Sequence, residues 1–290
     1  MSLYPCGLNQ GVEKMSNVSR LNVPAELHHN HLLGALPPTE LRRLAPHLRL
    51  VHLQAGQLLS DAGEPIKALY FPTTAVLSLR CLMEDGASVE VSAISREGVA
   101  GVPVLTGGHA MPSRIEVSTQ GYGYAVDAQH FKSEFTRSDA INSLMLLYIQ
   151  ALMTQIAQSA LCNRRHSVDE QLCRWLLSAQ DRMQTSEPVT QLVTTQQMIA
   201  DTIGVRREGV TEAAGKLESA GLILRHRGRI TITDRDGLED RTCECYSIIK
   251  GEFQRLLPGR AEEKCARIRD TGRAADLSKG LHAPARVMTW

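Results

Sequence analysis

Between residues 48 and 127 the chain divides into short segments rich in apolar and β-branched residues: LRLVHL, QLL, KALYF, AVLSLRCL, SVEVSAI, RIEVS and GYAV. Turn signals separate them at short intervals, which is the pattern of many short antiparallel strands. Strands of this kind with Gly-rich turns imply a closed barrel or jelly roll. Glu84-Asp85-Gly86 joins two of them, and Asp-Gly suits a tight hairpin because its central positions need positive φ.

Helical patterns flank this run. Before it come the short apolar helix NHLLGAL, the Pro37-Pro38 break and the helix TELRRLAPHL, for which Thr39 is the expected N-cap. After it come the short helical segment DAQHFKSEF and a long one from Ser138 to Arg164. In the long segment Met145, Ile149, Leu152, Ile156 and Ala160 share one face, while Leu144, Leu147, Tyr148 and Ala151 widen the apolar surface. A helix apolar on more than one side needs two packing partners. The barrel supplies one, and a symmetry-related copy of the helix supplies the other, so a C2 homodimer is expected through Met145, Tyr148, Ile149, Leu152 and Ile156. Asn142, Gln150, Thr154, Gln155, Gln158 and Ser159 interrupt the segment and argue against a membrane span.

The net charge is +1, so any nucleic-acid binding has to come from a local basic patch. An apolar fraction of 43% with 22% charged residues fits an ordinary globular protein. The first two dozen residues contain no apolar run of signal-peptide length, which makes the cytoplasm the expected location. Seven scattered cysteines suit reduced thiols and not a disulfide framework. The tight pair Cys243-Glu244-Cys245 has no second pair nearby in sequence and reads as helix packing, and His28-His29-Asn30-His31 reads as an exposed helix entrance. No metal and no cofactor is expected.

Ser167 and Glu170 form a capping box ahead of Leu172, Trp175, Leu176 and Ala179, so a second domain starts there, with MQTSEP as its first loop. In TTQQMIADTIGV, Thr194 with Gln197 is a further expected capping box, and Met198, Ile199, Thr202 and Ile203 give the helix its packing face. Ala200, Gly204 and Val210 sit where a helix-turn-helix needs a small residue, a left-handed turn residue and an apolar residue. Leu222 to Ile232 then reads as strand, basic turn, strand, which is a wing.

Positive charge is concentrated at the start of the second helix and at the wing tip. Arg207 is the leading candidate for base reading, because a guanidinium can bond guanine O6 and N7 together. Glu208 is a poor phosphate partner but can accept from a cytosine amino group or hold an arginine in pose. Arg206 and Thr211 complete the candidate base-reading set. Thr195, Gln196, Arg225, Arg227 and Arg229 are the candidate phosphate contacts.

From about residue 28 to 240 the chain resembles the Crp-Fnr family of bacterial transcription regulators. Gly56-Gln57-Leu58-Leu59-Ser60-Asp61-Ala62-Gly63-Glu64 is similar to the family's barrel motif, and Gly204, Arg207-Glu208 and Val210 to its recognition-helix signature. The resemblance implies an α+β chain whose base-reading pair is Arg207 and Glu208, binding double-stranded DNA as a homodimer and contacting RNA polymerase. It implies an N-terminal cyclic-nucleotide-type jelly roll, a long dimerisation helix and a C-terminal winged helix-turn-helix. A further base-reading arginine of the family aligns with Glu212, which can pair with Lys216 at i+4.

The effector pocket departs from the family. The stretch matching its ribose-binding and phosphate-binding residues holds Gly101 and Val102, where a carboxylate is expected, and Ser113-Arg114, in reversed order. Loss of that carboxylate leaves the ribose hydroxyls without an acceptor, a loss of roughly 1–3 kcal/mol, so the pocket reads as degenerate and its effector as something other than cyclic AMP. Cys6 is the only cysteine before Cys81, so the family's N-terminal iron-sulfur cluster has no support.

The expected layout is a disordered N-terminus (1–24), a sensor barrel (25–137), a dimerisation helix (138–166), a winged helix-turn-helix (167–240), a C-terminal helix (241–257) and a disordered tail (258–290). Two other readings stay open. One is a cupin-like metal enzyme using His52, Glu90 and Glu116, and the other keeps the winged helix for protein contacts.

Overall fold

The computed structural model describes residues 25–84, 88–183 and 190–257. Most of the expected Glu84-Asp85-Gly86 turn, most of the MQTSEP loop and both expected disordered ends lie outside them. A 3-10 turn (Ala25–His29) leads into α1 (His31–Ala35) and α2 (Pro38–Leu44). Asn30 caps α1, its side-chain oxygen accepting from the backbone N–H of Leu32 and Leu33. Its amide nitrogen donates to the carbonyls of Pro72 and Gly98, each at 2.9 Å, which ties the N-terminal helices to the barrel. Thr39 is not the cap of α2. That helix starts one residue earlier, with Pro38 in its first turn, where a missing N–H is harmless.

All the expected strands form: β1 (Arg49–Leu53), β2 (Leu58–Ser60), β3 (Ala68–Pro72), β4 (Val76–Leu82), β5 (Ser88–Ile94), β6 (Arg114–Thr119) and β7 (Gly121–Asp127). They build two antiparallel sheets, β1-β7-β3 and β2-β6-β4-β5, whose facing sides enclose Leu53, Leu77, Leu79, Ile94, Ile115 and Val117. Each fully buried residue of this size contributes roughly 1.5–3 kcal/mol. Alternation of the side chains decides which member of each strand enters this core.

Helix α3 (Ala128–Arg137), capped by Asp127, runs into α4 (Asp139–Arg165), capped by Ser138. At 27 residues, α4 spans about 40 Å. By length and composition it could cross a membrane. Here, however, one of its faces is built into the protein. Ile141, Met145, Tyr148, Ala151 and Leu152 are buried against the barrel and N-terminal helices. Tyr148 donates to the Val99 carbonyl at 3.0 Å, and Gln155 donates to Ser92 Oγ at 2.9 Å and to the Ala93 carbonyl at 3.1 Å. Gly98 makes that approach possible, because a Cβ there would lie 2.5 Å from the Tyr148 hydroxyl.

This burial corrects the expected dimer face. Met145, Tyr148 and Leu152 belong to the protomer's own core and are not free to meet a partner. The opposite face carries Leu146, 51% exposed, and Met153, 66% exposed, with Leu147, Ile156 and Leu161 also exposed and Ile149 half-buried.

Helix α5 (Val168–Met183) opens the C-terminal half with the expected capping box. The Ser167 N–H donates to Glu170 Oε2 at 2.8 Å, and the Glu170 N–H to Ser167 Oγ at 3.3 Å. Then come β8 (Gln191–Val193), α6 (Gln196–Ile203), α7 (Arg207–Ser219), β9 (Ile223–His226), β10 (Arg229–Ile232), α8 (Arg235–Arg241) and α9 (Cys245–Leu256). The wing is a three-stranded sheet ordered β8-β10-β9, its third strand being too short to show a period in the sequence. Helix α9 returns to the first half and packs on α4, with Phe253 and Leu256 in the core of that half.

Replacing Asn30 with Ala removes the cap of α1 and leaves two buried carbonyls without their donor. Chemical denaturation should show a loss of about 2–4 kcal/mol.

Candidate nucleic-acid interface

The turn between α6 and α7 is closed by Gly204, whose φ of 71° is the left-handed conformation that favours glycine. The N–H groups of Gly204 and Val205 both donate to the Ala200 carbonyl, at 2.9 and 3.1 Å. Ile199, Ala200, Ile203, Val210, Ala213, Ala214 and Leu217 are buried where the two helices meet α5, so the expected small, left-handed and apolar positions do their packing work. Two residues of the expected packing face point elsewhere. Met198 is exposed at its tip, and with Thr202 it lines a cleft facing Val76, Arg80 and Glu90 of the barrel. Arg80 and Asp201 come within 3.9 Å across that junction.

The cap of α6 is Thr195, one residue later than expected, its Oγ1 accepting from the Met198 N–H at 3.2 Å. Thr194 is buried beside the wing, and Gln197 bonds Asp201 at 2.7 Å. The shift follows from β8, which holds Thr194 in place through its N–H bond to the Gly228 carbonyl.

Arg206 occupies the cap position of α7, and Arg207 and Glu208 are its first two residues; all three are exposed. Thr211, one turn further, is exposed too, with its hydroxyl 2.8 Å from Gln196 Oε1 and 3.0 Å from the Arg207 carbonyl. Across from α7, β9 and β10 are joined at Arg227-Gly228, with Arg229 paired to His226. Gly228, at φ 72°, makes this short connection possible. Thr195, Gln196, Arg207, Arg225, Arg227 and Arg229 line one open concavity of about 1020 Å³ between the two helices and the wing. Sequence reasoning named all six separately, and the fold brings them together.

Arg225 differs from the other cations. Glu218 on α7 binds it at 2.6–2.8 Å through two guanidinium nitrogens and also accepts its backbone N–H at 2.8 Å. These bonds, first from the guanidinium and then from the N–H, hold the Glu218 carboxyl below the usual glutamate range. The pair's contribution is therefore complete above that range and is lost as pH falls through the lowered value. Arg225 thus fixes the wing to α7 and is already neutralised. Glu212 and Lys216 form the expected i+4 pair at 3.1 Å, and Asp169 reaches the same lysine at 3.3 Å. Among the described residues of this face, Arg206, Arg207, Arg227 and Arg229 show no carboxylate partner within 4.0 Å.

The four residues of the expected effector pocket all lie in the barrel half. Gly101 sits in the left-handed region at φ 102° against Ile66 and Leu69, and Val102 begins a 3-10 turn. Ser113 is buried, while Arg114 in β6 turns to Asp61 at 3.0 Å. The Ala62 N–H first, and Arg114 second, hold the Asp61 carboxyl below its usual range. Arg114 therefore already has an anionic partner. His52 lies in the sheet opposite to Glu90 and Glu116, where its ring packs on Tyr122, so those three groups do not converge.

The Crp-like helix-turn-helix domain matches residues 170–241. Among solved structures the chain is similar to FixK2 from Bradyrhizobium japonicum, with 15% identity and a TM-score of 0.59 over 68% of this chain and 98% of that one. A putative transcriptional regulator of the Crp/Fnr family from Eubacterium rectale gives 17% and 0.58 over 73% and 98%. The c-di-GMP responsive global regulator CLP from Xanthomonas campestris gives 15% and 0.55 over 68% and 99%. No curated protein matches the sequence. The class is thus that of DNA-binding transcription regulators. More particularly, the chain has the Crp/Fnr architecture, with a Crp-like helix-turn-helix domain behind an N-terminal barrel and a long helix.

Glu218→Ala should free Arg225 for the polyanion. The slope of log affinity for duplex DNA against log salt should then steepen by about one phosphate contact, roughly 0.9.

Proposed function

We propose that the protein acts as a cytoplasmic homodimer that binds a near-palindromic DNA site through Arg207 and Glu208, without enzymatic activity of its own. The observation that carries this reading is the shared concavity, where Arg207 stands at the start of α7 opposite the unpaired wing arginines Arg227 and Arg229. A helix N-terminus entering the major groove puts Arg207 at base edges, with Arg206, Glu208 and Thr211 beside it. Thr195, Gln196 and the wing then meet phosphates on either side. With Arg225 engaged by Glu218, its part is to set the wing's position and not to add charge. Two such modules related by a two-fold axis reach successive major grooves about 34 Å apart.

Dimerisation is supported by the apolar stripe on α4. Leu146, Ile149, Met153 and Ile156 follow the three- and four-residue spacing of a coiled-coil seam, with Leu146, Met153 and Ile156 exposed and Ile149 partly buried against the core. The effector is read as something other than cyclic AMP, because Val102 supplies no carboxylate and Arg114 is bound to Asp61. Contact with RNA polymerase is part of the same proposal and rests on the family likeness.

Arg207→Ala should weaken binding to the preferred site by about 1–3 kcal/mol and relax specificity at the base it reads. Arg227→Ala should weaken all sequences alike and reduce the salt slope. Unchanged affinity and specificity in Arg207→Ala, measured by fluorescence anisotropy, would sink the base-reading role. Met153→Glu should give a monomer in sedimentation velocity, and a dimer that persists would place the interface elsewhere.

A further inference from the structure

The last turn of α4 and the connection from α8 to α9 meet in a small buried cluster. Cys162 and His166 stand one turn apart on α4, and Cys243 and Cys245 flank Glu244 just before α9. The three thiols are buried and the His166 side chain is 14% exposed. Sequence spacing alone made the Cys243-Cys245 pair look isolated. The fold supplies the two missing partners from about eighty positions away.

The geometry points to a zinc site formed by Cys162 Sγ, Cys243 Sγ, Cys245 Sγ and His166 Nδ1, which fastens the DNA-binding half to the end of the long helix. All four atoms lie within 4.8 Å of one another, with Cys162 Sγ to Cys243 Sγ and Cys245 Sγ to His166 Nδ1 each at 3.5 Å. Zinc–sulfur bonds of about 2.3 Å in a tetrahedron place neighbouring sulfurs about 3.8 Å apart, which a slight adjustment of this cluster provides. A cluster of several irons would need ligands spread more widely than 4.8 Å, so the arrangement suits a single ion. Three thiolates and one imidazole form a closed structural set that favours zinc over the hard cations.

The surroundings orient the ligands as a metal requires. His166 turns Nδ1 towards the thiols and places Nε2 3.3 Å from Glu244 Oε2. A carboxylate on the far nitrogen fixes the tautomer and raises ligand basicity. Gln158 Nε2 lies 3.2 Å from Cys245 Sγ and can donate to that sulfur. Simple thiol packing would call for neither partner. The position matters because His166 ends α4 and Ser167 begins the cap of α5, so an ion here fixes the joint between the two halves.

The test uses the full-length chain, purified under reducing conditions, stripped with a chelator and titrated with cobalt(II) or zinc(II). The proposal expects one ion per chain, strong visible bands of tetrahedral cobalt and intense thiolate-to-cobalt charge transfer, all displaced by zinc. Cys162→Ser and Cys243→Ser should each weaken cobalt binding by more than the roughly 10- to 100-fold that loss of an outer partner costs. His166→Cys should keep tight binding with a spectrum shifted towards four thiolates, which controls for misfolding. Metal removal should also increase hydrogen exchange across residues 163–170. A fully reduced chain that takes up no metal, or one whose metal binding survives Cys243→Ser unchanged, overturns the site; metal uptake with unchanged exchange overturns the fastening role. None of these readouts uses DNA, so they stand or fall apart from the base-reading proposal.

Discussion

Helix α4 must satisfy two surfaces at once, and the rest of the molecule is arranged around that demand. Its inner face is fixed by Tyr148 on the Val99 carbonyl and by Gln155 on Ser92 and Ala93, so a polar residue in mid-helix becomes an anchor instead of an exposed site. Phe253 meets the same tyrosine edge-on at 6.5 Å, which brings α9 onto the N-terminal half. Outside, among the described residues, Leu146, Leu147, Met153, Ile156 and Leu161 stay exposed. One helix therefore sets the barrel's position, the course of α9 and an exposed apolar surface.

The DNA-facing surface is shaped by cancellation as much as by accumulation of charge. A chain with a net charge of +1 cannot draw nucleic acid by overall attraction. Glu218 on α7 neutralises Arg225, and Glu212 on α7 together with Asp169 on α5 neutralises Lys216. Of the cations left without a carboxylate, Arg207 on α7 and Arg227 and Arg229 on the wing line one concavity, which suits the proposed contact with phosphates and base edges.

Local patterns were legible wherever neighbouring residues decide the outcome. The seven barrel strands, the Ser167–Glu170 box and the Glu212–Lys216 pair depend on alternation or on a separation of one helical turn. Thr195 and not Thr194 caps α6 because β8, a three-residue strand without a visible period, holds Thr194 in the wing. Three of the residues expected at a dimer face, Met145, Tyr148 and Leu152, are buried in the chain's own core for a related reason. An apolar residue looks the same in sequence whether it faces its own barrel, as Met145 does, or the outside, as Met153 does. Arg225 looked like its neighbours on the wing until Glu218, seven positions earlier, closed on it.

The sequence by itself determined the seven barrel strands, the helix-turn-helix with its Arg207-Glu208 start and the cationic wing turn, because hydrophobic period, caps and turn residues act over a few positions. The tertiary structure alone decided which charges stay free, which face of α4 stays open and which groups meet Cys243 and Cys245. Those outcomes depend on groups far apart in the chain. The end of α4 brings Cys162 and His166 to a pair of thiols that looked solitary, and no local pattern records a distance between residues separated by eighty others.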